Sequence, residues 1–148
     1  MDEKDLQIIR ELQGNGRLSN HELAERVNLS PSPCLRRVRN LEKTGVIQGY
    51  TALIDQKEFG LPITIFIRIR LEGHSTETVE TFEKEIGEID EVLDCHLMTG
   101  DSDYLLRVIV KSLEAYEVFI RDEIHRIPKI ASIETSFAYG VIKQSRTF

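Results

Sequence analysis

The chain has 148 residues, 41% of them hydrophobic and 30% charged, with a formal net charge of -6. That length suits one domain or two small ones. No run approaches the roughly 18 to 20 uninterrupted apolar residues of a membrane span, since the longest apolar stretch, ITIFIRIRL, is broken by Arg68 and Arg70. The acidic, helix-patterned start MDEKDLQIIRELQ lacks the basic lead and apolar core of an export signal. Two distant cysteines, Cys34 and Cys95, in no C-x-x-C spacing fit reduced thiols and a cytoplasmic protein.

The first sixty residues read as helices. DLQIIREL places Leu6, Ile8, Ile9 and Leu12 on a helical stripe, ended by Gly14 and Gly16. SNHELAERV opens with Ser19 and has Glu22 three residues on, a capping box, with Leu23, Ala24 and Val27 facing inward. Asn28 suits the break that follows because it tolerates left-handed backbone. A third helix is expected to start in SPSP, with Ser32 capping and Pro33 in the first position, and with Leu35, Val38 and Leu41 as its buried edge. Gly45 ends it, and VIQGYTALID reads as a short hairpin around Gly49.

From Ile63 the period changes to two. Ile63, Ile65, Ile67, Ile69 and Leu71 share one face of a strand, with Phe66, Arg68, Arg70 and Glu72 on the other. Ser75 can cap a helix whose Val79, Phe82 and Ile86 point inward and whose other face is acidic. EVLDCHLM and YLLRVIV are strands flanking the turn TGDSD, SLEAYEVFIRDEIHRI is an amphipathic helix stopped before Pro128, and IASIETSFAYGVI is a last strand region. The order β-α-β-β-α-β is ferredoxin-like. The chain is therefore expected to be α+β: a winged helix-turn-helix over residues 1–60, hairpin linker included, joined to a βαββαβ domain over 61–148.

Charge singles out one segment. Residues 1–47 carry eight Lys/Arg and seven Asp/Glu, and residues 48–148 carry eleven and eighteen. Within 28–48 the balance is four basic to one acidic, so local charge permits what the whole-chain pI argues against, binding to nucleic acid. Capping box, short turn and basic helix together make a helix-turn-helix, whose second helix presents cations to the major groove. Ser32, Arg36, Arg39 and Lys43 fall on one outward line, flanked by Arg37 and Asn40. A solvated basic face paired with Glu42 is the plain alternative.

No metal or catalytic site emerges. Asp101-Ser102-Asp103 lacks the glycine and the twelfth-position glutamate of an EF-hand, with Ser112 at that place. Cys95 and His96 are adjacent on a strand and point to opposite faces. His21, His74 and His125 have no second ligand at a metal spacing, and no nucleotide-binding glycine pattern or nucleophile motif is present.

The segment RLSNHELAERVNLSPSPCLRRVRNLEKTGVIQGYTALID resembles the DNA-binding half of the Lrp/AsnC (feast/famine) transcription regulators, with LSPSPCLRRVRNLEKTGVIQGY especially similar to the leucine-responsive type. CHLMTGDSDYLLRVIV resembles that family's effector-domain signature, and IKQS its C-terminal end. The resemblance implies a sequence-specific, DNA-binding, nucleoid-associated regulator rather than an enzyme. It implies contacts to double-stranded DNA from Ser30, Ser32, Pro33, Arg36, Arg37, Arg39, Asn40 and Lys43. It further implies a homodimer built through the βαββαβ domains, commonly assembled to an octamer, and an amino-acid effector bound between subunits, with no other cofactor. Thr99, Gly100, Asp101, Asp103 and Tyr104 would form the effector site: carboxylates for an α-ammonium, and a glycine allowing exposed N–H groups to approach an α-carboxylate. Thr135 and Ser136 join them by family position. A tight hairpin whose aspartates only cap their own turn is the competing reading. So, for the whole chain, are an enzyme-regulating amino-acid module and an RNA binder; the latter's aromatic signature is missing from YLLRVIV.

Overall fold

Asp2 and Asp5 start the first helix by capping each other: each side chain accepts from the other's backbone N–H at 3.0 Å. From there α1 runs Glu3–Gly14. Ser19 and Glu22 form the expected capping box for α2, Asn20–Arg26. The α2 helix ends at Val27, and Asn28 takes the left-handed conformation its side chain tolerates, φ 53°. The computed structural model describes residues 1–143, which divide into compact units built on Met1–Leu53 and on Ile54–Val141. The last two residues of IKQS lie outside the described residues.

In the first unit α3 spans Pro31–Lys43, beginning two residues before the expected start. Ser30 is the cap and Pro31 the first helical residue. Pro33 is accommodated because N–H groups in the first turn have no partner within the helix. The core consists of Ile8, Leu23, Ala24, Val27, Cys34 and Leu41, with Ile9, Leu12, Leu18, Leu29, Val38 and Ile47 partly buried against it. Two expected core positions are displaced: Leu6 is 43% exposed, and Cys34 takes the place assigned to Leu35. The inward line of α3 thus follows the spacing 34, 38, 41, that of a 3.6-residue helix, whereas 35, 38, 41 drifts around the axis.

The hairpin expected around Gly49 is not formed. Residues 48–55 carry no strand pairing. Gly49 is not among the positive-φ glycines, whereas the favoured two-residue hairpin turns require positive φ. The compact units divide at Leu53/Ile54. The side-chain amide of Gln56 donates to Leu61 O at 2.6 Å and to Thr64 Oγ1 at 3.0 Å, tying 56–61 to the start of β1.

The second unit contains β1 (Ile63–Leu71), α4 (Thr76–Gly87), β2 (Val92–Leu97), β3 (Tyr104–Val110), α5 (Leu113–Asp122), a short 3₁₀ turn (Ile124–Arg126) and β4 (Ile130–Phe137). The sheet is antiparallel in the order β2-β3-β1-β4, the ferredoxin-like arrangement. Ile65, Ile67, Ile69 and Leu71 alternate into the core with Leu106, Val108 and Val110, and α4 and α5 cover that face with Phe82, Ile86 and Phe119. Registered partners share a face, so the opposite face carries Phe66, Arg68 and Arg70 beside Leu105 and Arg107 on one side and Ser132, Glu134 and Ser136 on the other. Among the described residues no helix is long and apolar enough to cross a membrane.

Candidate nucleic-acid interface and ligand turn

The outward side of α3 follows from helical geometry. At about 100° per residue, and with Arg36 at zero, Ser32, Arg39, Asn40 and Lys43 all lie within an arc of roughly 100°. All five are exposed, as is Ser30 just before the helix, while Pro33 is half-buried. Arg36, Arg39 and Lys43 make none of the ion pairs found among the described residues. Tyr50 OH donates to Glu42 at 3.0 Å, so the one acid of this helix is engaged away from the arginines. The local paired-charge alternative therefore fails for these three cations.

Arg37 behaves differently. It sits about 100° from Arg36, at the margin of the buried line, and turns toward α1. Its Nη1 lies 2.7 Å from Asp5 Oδ1 and 2.8 Å from Asp2 Oδ2. Hydrogen bonding to Asp5 and then to Asp2 raises the guanidinium's pKa. Arg37, expected to flank the outward line of α3, is held by two carboxylates of another helix. A second link was not read from the sequence: Lys4 Nζ donates to Val27 O at 2.6 Å, stapling α1 to the end of α2. The visible signal for Asp2 and Asp5 was their D-x-x-D spacing at a helix start.

The turn between β2 and β3 separates its residues into two groups. Thr99, Gly100 and Asp101 are exposed, with Gly100 at φ 106°. Among the described residues Asp101 makes no ion pair. Asp103 is committed to the fold. Its Oδ2 accepts from Leu71 N at 2.7 Å, its Oδ1 lies 2.8 Å from His74 Nε2, and its own N–H donates to Ile69 O at 2.8 Å. The Leu71 N–H holds its carboxyl below the usual carboxylate range, with His74 adding to the effect. Tyr104 is buried against Phe82, ring centroids 4.5 Å apart, and donates its hydroxyl to Glu83 at 3.0 Å. Asp103 and Tyr104, expected among the ligand contacts, are thus engaged in bonds that hold the turn.

Thr135 and Ser136 do not form one site in this chain, because neighbours on a strand point to opposite faces. Thr135 lies on the helix-covered side, 2.6 Å from Tyr116 OH. Ser136 is on the open face, registered with Phe66. The turn meets β1 at Ile69, three residues along, on the order of 10 Å at strand spacing. The cleft of about 380 Å³ between α4 and β2 is lined by Glu83, Ile86, Cys95, Leu97 and Tyr104 among others, and none of residues 98–103 enters it. Among the described residues no cluster of three metal-ligating side chains occurs.

Comparison with known proteins agrees with this two-part architecture. Residues 1–48 match the family model for a winged helix-turn-helix DNA-binding domain, and residues 64–148 match that of the Lrp/AsnC ligand binding domain. The chain is 39% identical over 145 residues to the leucine-responsive regulatory protein of Escherichia coli strain K12, covering 98% of this chain and 88% of that one. Its structure is similar to that of a transcriptional regulator from Neisseria meningitidis solved in complex with L-methionine: TM-score 0.94, 36% identity, covering 100% of this chain and 96% of that one. It is also similar to an AsnC family transcriptional regulator from Agrobacterium tumefaciens, at TM-score 0.93 and 38% identity, covering 98% and 94%. A basic helix-turn-helix face and a βαββαβ ligand-binding unit, each matched across its length, establish that the chain belongs to the Lrp/AsnC family of DNA-binding transcriptional regulators.

Proposed function

We propose that this regulator reads double-stranded DNA with the exposed face of α3 and responds to an amino acid held at the turn 99–101. The carrying observation is that Ser30, Ser32, Arg36, Arg39, Asn40 and Lys43 are exposed together while the neighbouring Glu42 is engaged elsewhere. Arginine here can donate to guanine O6 and N7 or to phosphate. Residues 1–60 act as the DNA-binding domain with its linker, and residues 61–148 as the effector and oligomerisation domain.

The effector reading draws on the exposed Gly100 backbone and on Asp101, whose carboxylate suits an α-ammonium. The Neisseria relative solved with L-methionine supports an amino acid as ligand. Ser136 joins this site only from a second chain. Homodimerisation through the open sheet face supplies one, covering Phe66, Leu105 and Ile109, and further assembly leads to an octamer. A dimer also sets two recognition helices about 34 Å apart, one turn of DNA, in a cytoplasmic, nucleoid-associated protein.

Footprinting of genomic fragments, with and without a panel of amino acids, tests both halves. Protected sites whose occupancy shifts with one amino acid are expected. No protection under any condition would favour an enzyme-regulating amino-acid module instead. Arg36→Ala should weaken binding by about 1–3 kcal/mol if it makes a bidentate base contact.

A further inference from the structure

Arg37 is flanked in sequence by two cations that face outward, Arg36 and Arg39, yet its guanidinium is spent on α1. The arrangement is a closed network. Asp2 and Asp5 satisfy each other's backbone N–H groups at the start of α1, and their remaining oxygens converge on one nitrogen of Arg37, 32 residues away from Asp5. Asp5 is well shielded, its side chain 15% exposed, and Arg37 is 32% exposed, so water competes only partly for this contact. The bond lies at the margin of the buried line of α3 defined by Cys34, Val38 and Leu41. Those apolar side chains choose which face of α3 turns inward, and small rotations about the helix axis remain within that choice. A directional, charge-assisted bond at the margin removes that freedom.

We propose that Arg37 is a positioning residue for DNA binding: clamped by Asp2 and Asp5, it sets the rotation of α3 that aims Arg36, Arg39 and Lys43 at the duplex, and contacts no DNA itself. This rests on the reading of α3 as the DNA-binding helix. It makes Asp2 and Asp5 contributors to affinity for a polyanion, against the sign of their charge. Loss of the clamp lowers the fraction of molecules with a correctly rotated helix, and apparent affinity falls by that fraction.

The test uses the full-length protein and a duplex selected by it from a randomised pool, with affinity measured across a salt series. Removing a cation that contacts phosphate directly should reduce the slope of log K against log salt by about one, and Arg36→Ala serves as the direct-contact reference, losing affinity, slope or both. Arg37→Met should weaken binding by up to about fivefold, the scale of a partly exposed ion pair, and leave the slope unchanged. Asp5→Asn should also weaken binding, and the reversed pair Asp5→Arg with Arg37→Asp should recover affinity relative to Arg37→Asp alone. All measurements are made well below each variant's melting temperature, with helix content checked by circular dichroism, so loss of folding is separated from loss of aim. A lowered slope for Arg37→Met, or tighter binding by Asp5→Asn, overturns the clamp and makes Arg37 a direct contact or Asp5 a mere repulsive charge. If the unaltered protein selects no duplex, or Arg36→Ala changes neither affinity nor slope, it is the assignment of α3 to DNA that fails.

Discussion

Asp103 accepts the Leu71 N–H across 32 residues at 2.7 Å, joining the β2–β3 turn to the end of β1. Leu71 lies beyond the last β1–β3 pair, Ile69 with Tyr104, so its N–H on that side is satisfied by a side chain. Asp103→Ala would leave that N–H without its carboxylate partner and free the turn. A loss of about 1–3 kcal/mol in denaturant unfolding is expected, the range for hydrogen bonds to charged groups and their removal. Because the folded state depresses the Asp103 pKa, its stabilisation is present above the unfolded value near 3.9 and fades as pH falls through the folded one. The acid limb of the stability profile should therefore flatten in this variant.

Tyr104 titrates in the opposite sense. Burial, with the Glu83 carboxylate beside it, pushes the phenol up to about 12. Its stabilising contribution is complete below the unfolded value near 10 and is lost as pH rises through about 12. Ultraviolet titration of the phenolates should show Tyr104 ionising last, after Tyr50, whose pKa is also raised by burial and Glu42, and Tyr104→Phe should remove the latest component. The same change should cost about 0.5–1.5 kcal/mol through the hydrogen bond to Glu83.

Asn28 offers a backbone test of the helix-turn-helix. At φ 53° it occupies a conformation that costs most other L-residues roughly 1–2 kcal/mol. Asn28→Gly should fold with stability equal to or above the unaltered chain, whereas Asn28→Val should lower the melting temperature. Equal melting temperatures for the two variants would contradict a left-handed turn.

Phe66 lies on the open sheet face, 36% exposed, beside partly buried Leu105 and Ile109. If a second copy covers this face, Phe66→Asp replaces two buried aromatic rings of the interface with carboxylates. Sedimentation velocity should then report a shift toward monomer while circular dichroism retains the sheet. An unchanged sedimentation coefficient would place the dimer contact elsewhere.

Local chemistry was enough to write most of the fold. The switch from helical to alternating apolar spacing at Ile63 marks a change of unit, and the caps at Ser19, Ser75 and Ser112 depend only on neighbours three residues away. The left-handed Asn28 and the outward set on α3 are likewise local, as periodicity alone assigns a face. Sequence could also have separated Thr135 from Ser136, since adjacent strand residues diverge. Tertiary structure decided the rest, because it concerns which partner a side chain finds at long range. Three arginines of α3 look alike in sequence, and only the approach of α1 draws Arg37 away from the other two. Two aspartates of TGDSD look alike, and only the end of β1 makes one of them structural. A charged group goes to whichever partner is close enough to offset its loss of hydration, and closeness between distant segments is set by the packed core, not by spacing along the chain.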